Sequence, residues 1–224
     1  MRTEALIFDM DGTIVDSLPF HERSWVHFCR HHGLALDAAD IMARTNGRTG
    51  VECMAEVFGR ALPPAEAQAL VRQKEAIYRA LFAADFREIA GFSAFAAAAA
   101  ARGLKLGMGT AGDRDNIDFV LGRLAWRQRP QAVVGGDEGL SGKPTPAIFL
   151  EVARRLGVAP AHCIVFEDAP FGIEAARRAG MRAVAVCSTH APEELAGPHV
   201  VAAVRDYQEL AHSKFLEMLD VAHA

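Results

Sequence analysis

The 224-residue chain contains no run approaching the ~18 consecutive apolar residues of a membrane-crossing helix. Its N-terminus passes from Met1-Arg2-Thr3-Glu4 straight into an apolar run, with no visible export signal. No block of Lys or Arg is present and the formal net charge is -4, which argues against a nucleic acid or an anionic membrane held by bulk electrostatics. The four cysteines, Cys29, Cys53, Cys163 and Cys187, are scattered through apolar neighbourhoods without a C-x-x-C pair. These absences lead us to expect a cytoplasmic monomer with reduced core thiols, free of nucleic-acid and membrane partners.

What is present suits a sizeable core: 51% of residues are hydrophobic and 23% charged. Short apolar runs of strand type recur at 5–9, 104–110, 132–135, 163–167, 183–187 and 199–204, with helix-patterned segments between most of them. Continuous apolar strands alternating with helices predict a doubly wound α/β fold, a parallel Rossmann-like sheet covered on both faces. From about Leu18 to Phe82 the alternation stops and only helical patterns appear, including a long amphipathic helix opening at Pro63-Pro64. The division expected is a core domain of 1–16 and 84–224 and a small helical cap of 17–83, inserted after the first strand. The alanine run Ala96–Ala101 reads as a packed helix stopped by Gly103. "TPAIFLEVARRLG" reads as a helix with Thr145 as N-cap, Pro146 in the first turn and Gly157 after the last.

Four features carry chemistry. In "ALIFDMDGT" Asp9 and Asp11 alternate onto one side at the carboxyl end of the first strand, where ligands bind in such sheets, and Gly12 lets the chain turn. The plainer alternative is a solvated turn. A calcium loop fits poorly, because the glycine comes fourth and the twelfth residue is Phe20. In "GMGTAG" the Thr110 hydroxyl and the following amides of Ala111 and Gly112 form an oxyanion cradle, or Thr110 is simply an N-cap. Lys143 in "GLSGKPTP" is not in a Walker loop, since Pro144 follows it where Ser or Thr is needed, and Pro144 keeps it extended enough to reach inward. In "VFEDAPFGIEAARRAG" Glu167 and Asp168 end another apolar strand, and adjacent carboxylates repel unless a cation or donors are near. Four carboxylates, a hydroxyl and a lysine at strand ends of one sheet suit Mg²⁺ and phosphoryl transfer.

The motifs "DMDGT", "GTAG", "GKPTP" and "FEDAPFGIEAARRAG", in this order, resemble the haloacid dehalogenase superfamily, and the insert resembles its beta-phosphoglucomutase and sugar-phosphate phosphatase branch. The resemblance implies Asp9 as the nucleophile that forms an aspartyl-phosphate and Asp11 as general acid and then base. It implies Mg²⁺ held by Asp9, the Asp11 carbonyl and Asp168, with Glu167 one shell out, and Thr110 and Lys143 gripping the phosphoryl oxygens. In the cap, His21 matches a histidine beside the acid/base, with a packed histidine as the alternative, and Lys74 matches a substrate-binding lysine, with a solvated helix charge as the alternative. The loop "TNGRTGVE" departs from the mutase pattern: Gly50 stands where a mutase carries a phosphate-binding arginine, and Arg48 lies two positions earlier. A basic residue is likewise missing after Thr110, where Asp113 and Arg114 appear. His27 and His31 have zinc-compatible spacing on a helix, but an exposed face is the simpler reading. The expectation is a Mg²⁺-dependent phosphatase of a small phosphorylated metabolite, a sugar phosphate foremost, with a phosphoglucomutase as the alternative. A phospho-accepting receiver would need the motifs in another order and about half the length.

Overall fold

The apolar run after Glu4 forms the central strand of a six-stranded sheet in this structure, a computed structural model that describes residues 2–45, 48–127 and 129–221. The chain first makes a short strand β1 (Arg2–Thr3), which pairs in parallel with β8 (Asp220–Val221) at the far end of the sequence. β2 (Ala5–Phe8) then lies between β3 (Lys105–Gly109) and β5 (Cys163–Glu167), both parallel to it. β4 (Ala132–Val134) closes one edge, and β6 (Arg182–Val186) and β7 (Val200–Val204) the other. The order β4-β3-β2-β5-β6-β7 is that of a doubly wound sheet, with its reversal of direction between β2 and β5.

Strand alternation sorts the core into two layers. Leu6, Phe8, Leu106, Met108, Ile164 and Phe166 face one side, where α5 (Phe92–Ala101), α6 (Arg114–Arg123), α9 (Tyr207–His212) and α10 (Phe215–Met218) cover them. Phe8 sits at the centre of that layer, 5.3 Å from Phe92 edge to face and 4.7 Å from Phe166. Ala5, Ile7, Cys163, Val165 and Ala183 face α7 (Ala147–Leu156) and α8 (Pro170–Arg178). Gly107 lets α7 approach closely: a Cβ there would lie 2.4 Å from Val152 Cγ1.

Between β2 and α5 run four helices: α1 (Leu18–His31), α2 (Ala38–Thr45), α3 (Gly50–Phe58) and α4 (Pro64–Ala83). They enclose a core of their own around Trp25, Phe28, Ile41, Met54 and Val57. Phe20, Tyr78 and Phe82 instead join the sheet-side cluster, so α1 and α4 are the elements that seat the insert on the core. The long helix opens at Pro63-Pro64 as the sequence predicts, and the alanine run is helical. One expectation is corrected. Thr145 does not cap α7; its hydroxyl donates back to the carbonyls of Ser141 (2.8 Å) and Gly142 (2.9 Å), tightening the preceding loop, and the residue before the helix is Pro146. Gly157 takes the left-handed C-terminal position with φ 64°.

All four cysteines are free, three buried and Cys187 half-buried. No helix among the described residues is long and apolar enough to cross a membrane. His27 and His31 lie on an exposed face of α1, and among the described residues no group of three His, Cys, Asp or Glu side chains converges as a metal cage.

Candidate active site

Parallel register brings the strand ends together. Phe8 pairs with Phe166 on one side and Met108 on the other, so Asp9, Thr110 and the Glu167-Asp168 pair emerge side by side at the carboxyl edge. The Asp9 amide donates to the Phe166 carbonyl at 3.0 Å, and the Thr110 amide to that of Val134 at 3.0 Å. The loop between β4 and α7 supplies Lys143, joined to Pro144 by a cis peptide. All five side chains are buried.

Lys143 Nζ donates to Asp9 Oδ1 and to Glu167 Oε1, the latter at 2.5 Å. Burial alone would lower the lysine pKa; the two carboxylates outweigh it and hold the ammonium charged. The other Glu167 oxygen accepts from the amides of Asp168 and Ala169, both at 2.9 Å, so in this arrangement Glu167 fixes Lys143 and the start of α8. Asp168 is not an N-cap. Its two oxygens accept from Thr13 (3.2 Å) and Thr189 (2.6 Å), hydroxyls on either side of it. Gly12, with φ +78°, is needed for its backbone and for its lack of a side chain, because a Cβ would fall 2.2 Å from Asp168 Oδ2. Burial and the neighbouring acids raise Asp9 well above the ordinary carboxylate range despite Lys143, and burial with Glu167 raises Asp168 to about 7. Once all three ionise, the carboxylates exceed the one ammonium by two negative charges, which a divalent cation would offset. Hard oxygen donors from two side chains and a carbonyl, with room left for water and phosphate, fit Mg²⁺, which rarely has an all-protein cage.

Asp11 is held differently. Its Oδ1 accepts from Ser17 (2.6 Å), Tyr78 (3.3 Å) and His21 Nε2 (3.2 Å). Burial pushes its pKa up, but the hydrogen bonds of His21 and Ser17 and the nearby Lys74 charge outweigh this and lower it. His21 stacks on Tyr78 with ring centroids 3.8 Å apart, and Lys74 Nζ donates to its Nδ1 at 2.8 Å. A lysine ammonium only donates, so His21 accepts at Nδ1 and carries its proton at Nε2, facing Asp11. Lys74 is 2% exposed and lies 5.0 Å above the Trp25 ring, so it is no solvated helix charge. Its Nζ also donates to Glu75 Oε1 at 3.0 Å.

Ala111 and Gly112 line the same cavity of about 130 Å³ as Asp9, Asp11, His21, Lys74, Thr110 and Lys143, and Arg48 sits on its cap side. Thr110 Oγ1 accepts from the Gly112 amide at 3.0 Å, while Asp113 is the true N-cap of α6, accepting from Asn116. Arg114 turns to Asp118 at 3.0 Å, and Arg48 stands 3.8 Å from Glu56. Sequence reasoning missed Thr13, Ser17, Glu75, Tyr78, Asn116 and Thr189. For Thr189 a signal existed: it follows β6, a strand end of the same sheet.

A doubly wound sheet with a helical insert and this acid-rich carboxyl edge suits a hydrolase. The chain belongs to the haloacid dehalogenase-like hydrolases, whose family model matches residues 3–180, and it is an enzyme of the phosphohydrolase type. It is 35% identical to the fructose-1-phosphate phosphatase YqaB of Escherichia coli (strain K12), over 83% of this chain and 97% of that protein. To the beta-phosphoglucomutase of Bacillus subtilis (strain 168) it is 33% identical, over 82% and 83% of the two chains. The crystal structure of beta-phosphoglucomutase from Clostridium difficile superposes with a TM-score of 0.81 at 25% identity, covering 96% of each chain.

Proposed function

We propose that the chain is a Mg²⁺-dependent phosphatase of a small phosphorylated metabolite, a sugar phosphate, with residues 17–83 as its cap. Asp9 attacks the phosphorus, the bond from phosphorus to the leaving oxygen breaks, and Asp11, protonated on substrate binding by the acidic proton of the phosphomonoester, gives that oxygen a proton. Water then attacks the phosphorus of the aspartyl-phosphate, Asp11 takes the water proton, and Asp9 is released with inorganic phosphate. Asp9, the Asp11 carbonyl and Asp168 would hold Mg²⁺, which offsets the charge of the phosphoryl oxygens. Thr110, Lys143 and the amides of Ala111 and Gly112 orient those oxygens.

The observation that carries this reading is the division of labour between the two aspartates. Among the described residues every hydrogen bond to Asp11 goes to Oδ1, leaving Oδ2 for the substrate, while Asp9 leaves its own Oδ2 clear of Lys143. Hydrolysis is favoured over mutase chemistry by the helix contact at Gly50. A Cβ there would lie 2.8 Å from Val71 Cγ1, so α3 and α4 leave no room for a phosphate-binding arginine at that position.

Purified protein with Mg²⁺ is expected to release phosphate from members of a phosphometabolite panel, and Asp9→Asn to lose roughly 10⁴-fold or more in kcat. Full activity in that variant, or no release from any member, refutes the reading. Interconversion of hexose phosphates that outruns hydrolysis, primed by a bisphosphate, would favour the mutase.

A further inference from the structure

The cavity that holds the phosphoryl groups, about 130 Å³, is smaller than the ~300–1,000 Å³ usual for ligand sites. Beside it lies a second cleft of about 700 Å³, between the start of α3 and the middle of α4 on one side and the loops after β3 and β4 on the other. Four residues line both spaces: Gly50, Glu75, Ala111 and Gly112. Three of them have no side chain beyond a methyl group, so Glu75 is the one functional side chain that the two spaces share.

Glu75 is set rigidly. One oxygen accepts from Lys74 at 3.0 Å and the other from Asn116 Nδ2 at 2.8 Å, and Asn116 in turn accepts from Arg79 at 2.8 Å. Although burial opposes its charge, Lys74 and Asn116 lower its pKa and keep it ionised. A carboxylate has about four acceptor sites. Two are used, so two remain for a further donor. Besides Glu75, four carboxylates and two arginines line the second cleft, and one arginine, Arg114, is already held by Asp118. Arg79, reaching Asp113 and Asp115 from α4 at 3.9 and 3.5 Å, still leaves the acids in excess.

We infer that the leaving group of the substrate runs past Glu75 into this second cleft, and that Glu75 selects a neutral, hydroxyl-bearing tail and rejects an anionic one. The inference rests on the phosphatase reading. A polyol donates hydroxyls to Glu75, whereas a carboxylate or second phosphate has nothing to donate and meets like charge. Glu75 is thus a specificity-determining residue, unlike Asp9 and Asp11, whose contribution is the same for every tail.

The test compares kcat/KM for matched phosphomonoesters: sorbitol 6-phosphate against 6-phosphogluconate, and glycerol 1-phosphate against 3-phosphoglycerate, with fructose 1,6-bisphosphate as a third tail. In the wild type the neutral member of each pair is expected to be favoured at least ~10-fold, and Glu75→Gln to narrow that ratio several-fold. Gln68→Lys, an exposed change on the cleft wall, is expected to narrow it too and guards against misfolding of the first variant. Equal use of neutral and anionic tails, or ratios unmoved by both variants, overturns the inference while leaving the phosphatase reading intact. Preference for the bisphosphate also overturns it and places the tail against Arg48. Release of phosphate from none of these, nor from the wider panel, overturns both.

Discussion

Replacing Asp168 with asparagine is expected to stabilise the metal-free protein at pH 8 while abolishing its response to Mg²⁺. In an unfolded chain the Asp168 carboxyl ionises near 3.8; in the fold it holds its proton to about 7. The native state therefore binds more protons than the unfolded state between these values. Its stability from this group is complete below pH 3.8 and declines as pH rises through 7. A shift of about three units at ~1.36 kcal/mol each places the ceiling of the cost near 4 kcal/mol above pH 8. Asparagine removes the charge but must donate its amide to Thr13 or Thr189, so a net gain of about 2–4 kcal/mol is expected, or ~4–16 °C in Tm for a chain of this size. Thermal and urea unfolding in EDTA at pH 5 and pH 8 measure it. The gain at pH 5 should be less than half that at pH 8, because little of the titration is complete there. Adding Mg²⁺ at 100 times its Kd should return about 2.7 kcal/mol to the wild type and little to the variant. A variant less stable than wild type in EDTA at pH 8, or a gain that does not change with pH, would refute the account of two like charges awaiting a cation.

Three further outcomes follow from the packing. Cys53 and Cys163, whose thiols burial pushes to about 12, should resist a thiol-titrating disulfide reagent at pH 8 in the native protein, and the full count of four thiols should be reached only in denaturant. Gly107→Ala should cost about 1–3 kcal/mol in urea unfolding by forcing β3 and α7 apart, and part of that loss should return in the double variant with Val152→Ala. Asn116→Ala, which strips a buried partner from Glu75 and Arg79, should cost about 1–3 kcal/mol, and a neutral result would mean that water replaces the amide without loss.

Much of this was legible in the chain because it depends on neighbours in sequence. The order of strands and helices, the helical insert, the strand-end placement of Asp9, Thr110 and Glu167-Asp168, and the loop placement of Lys143 follow from apolar runs and turn residues that need no tertiary knowledge. One local reading failed at a helix start, and a nearby acid shows the same effect. Thr145 and Asp168 both have N-cap chemistry, but each oxygen found a different partner once the loops had folded, Thr145 in its own turn and Asp168 with hydroxyls 155 and 21 residues away. Lys74 illustrates the converse: on a helical wheel it is an ordinary cation, and only the packing of α4 against α1 buries it between Trp25 and His21.

The sequence by itself determined that acids, a hydroxyl and a lysine would gather at one edge of a parallel sheet, because alternation and strand polarity are properties of the local chain. Tertiary structure alone decided what each group became. Asp9 and Asp168 were left with excess negative charge, Asp11 was given three donors, and Gly50 was pressed against Val71. Those outcomes depend on distances between residues far apart in the chain, which side-chain packing sets and no local pattern encodes.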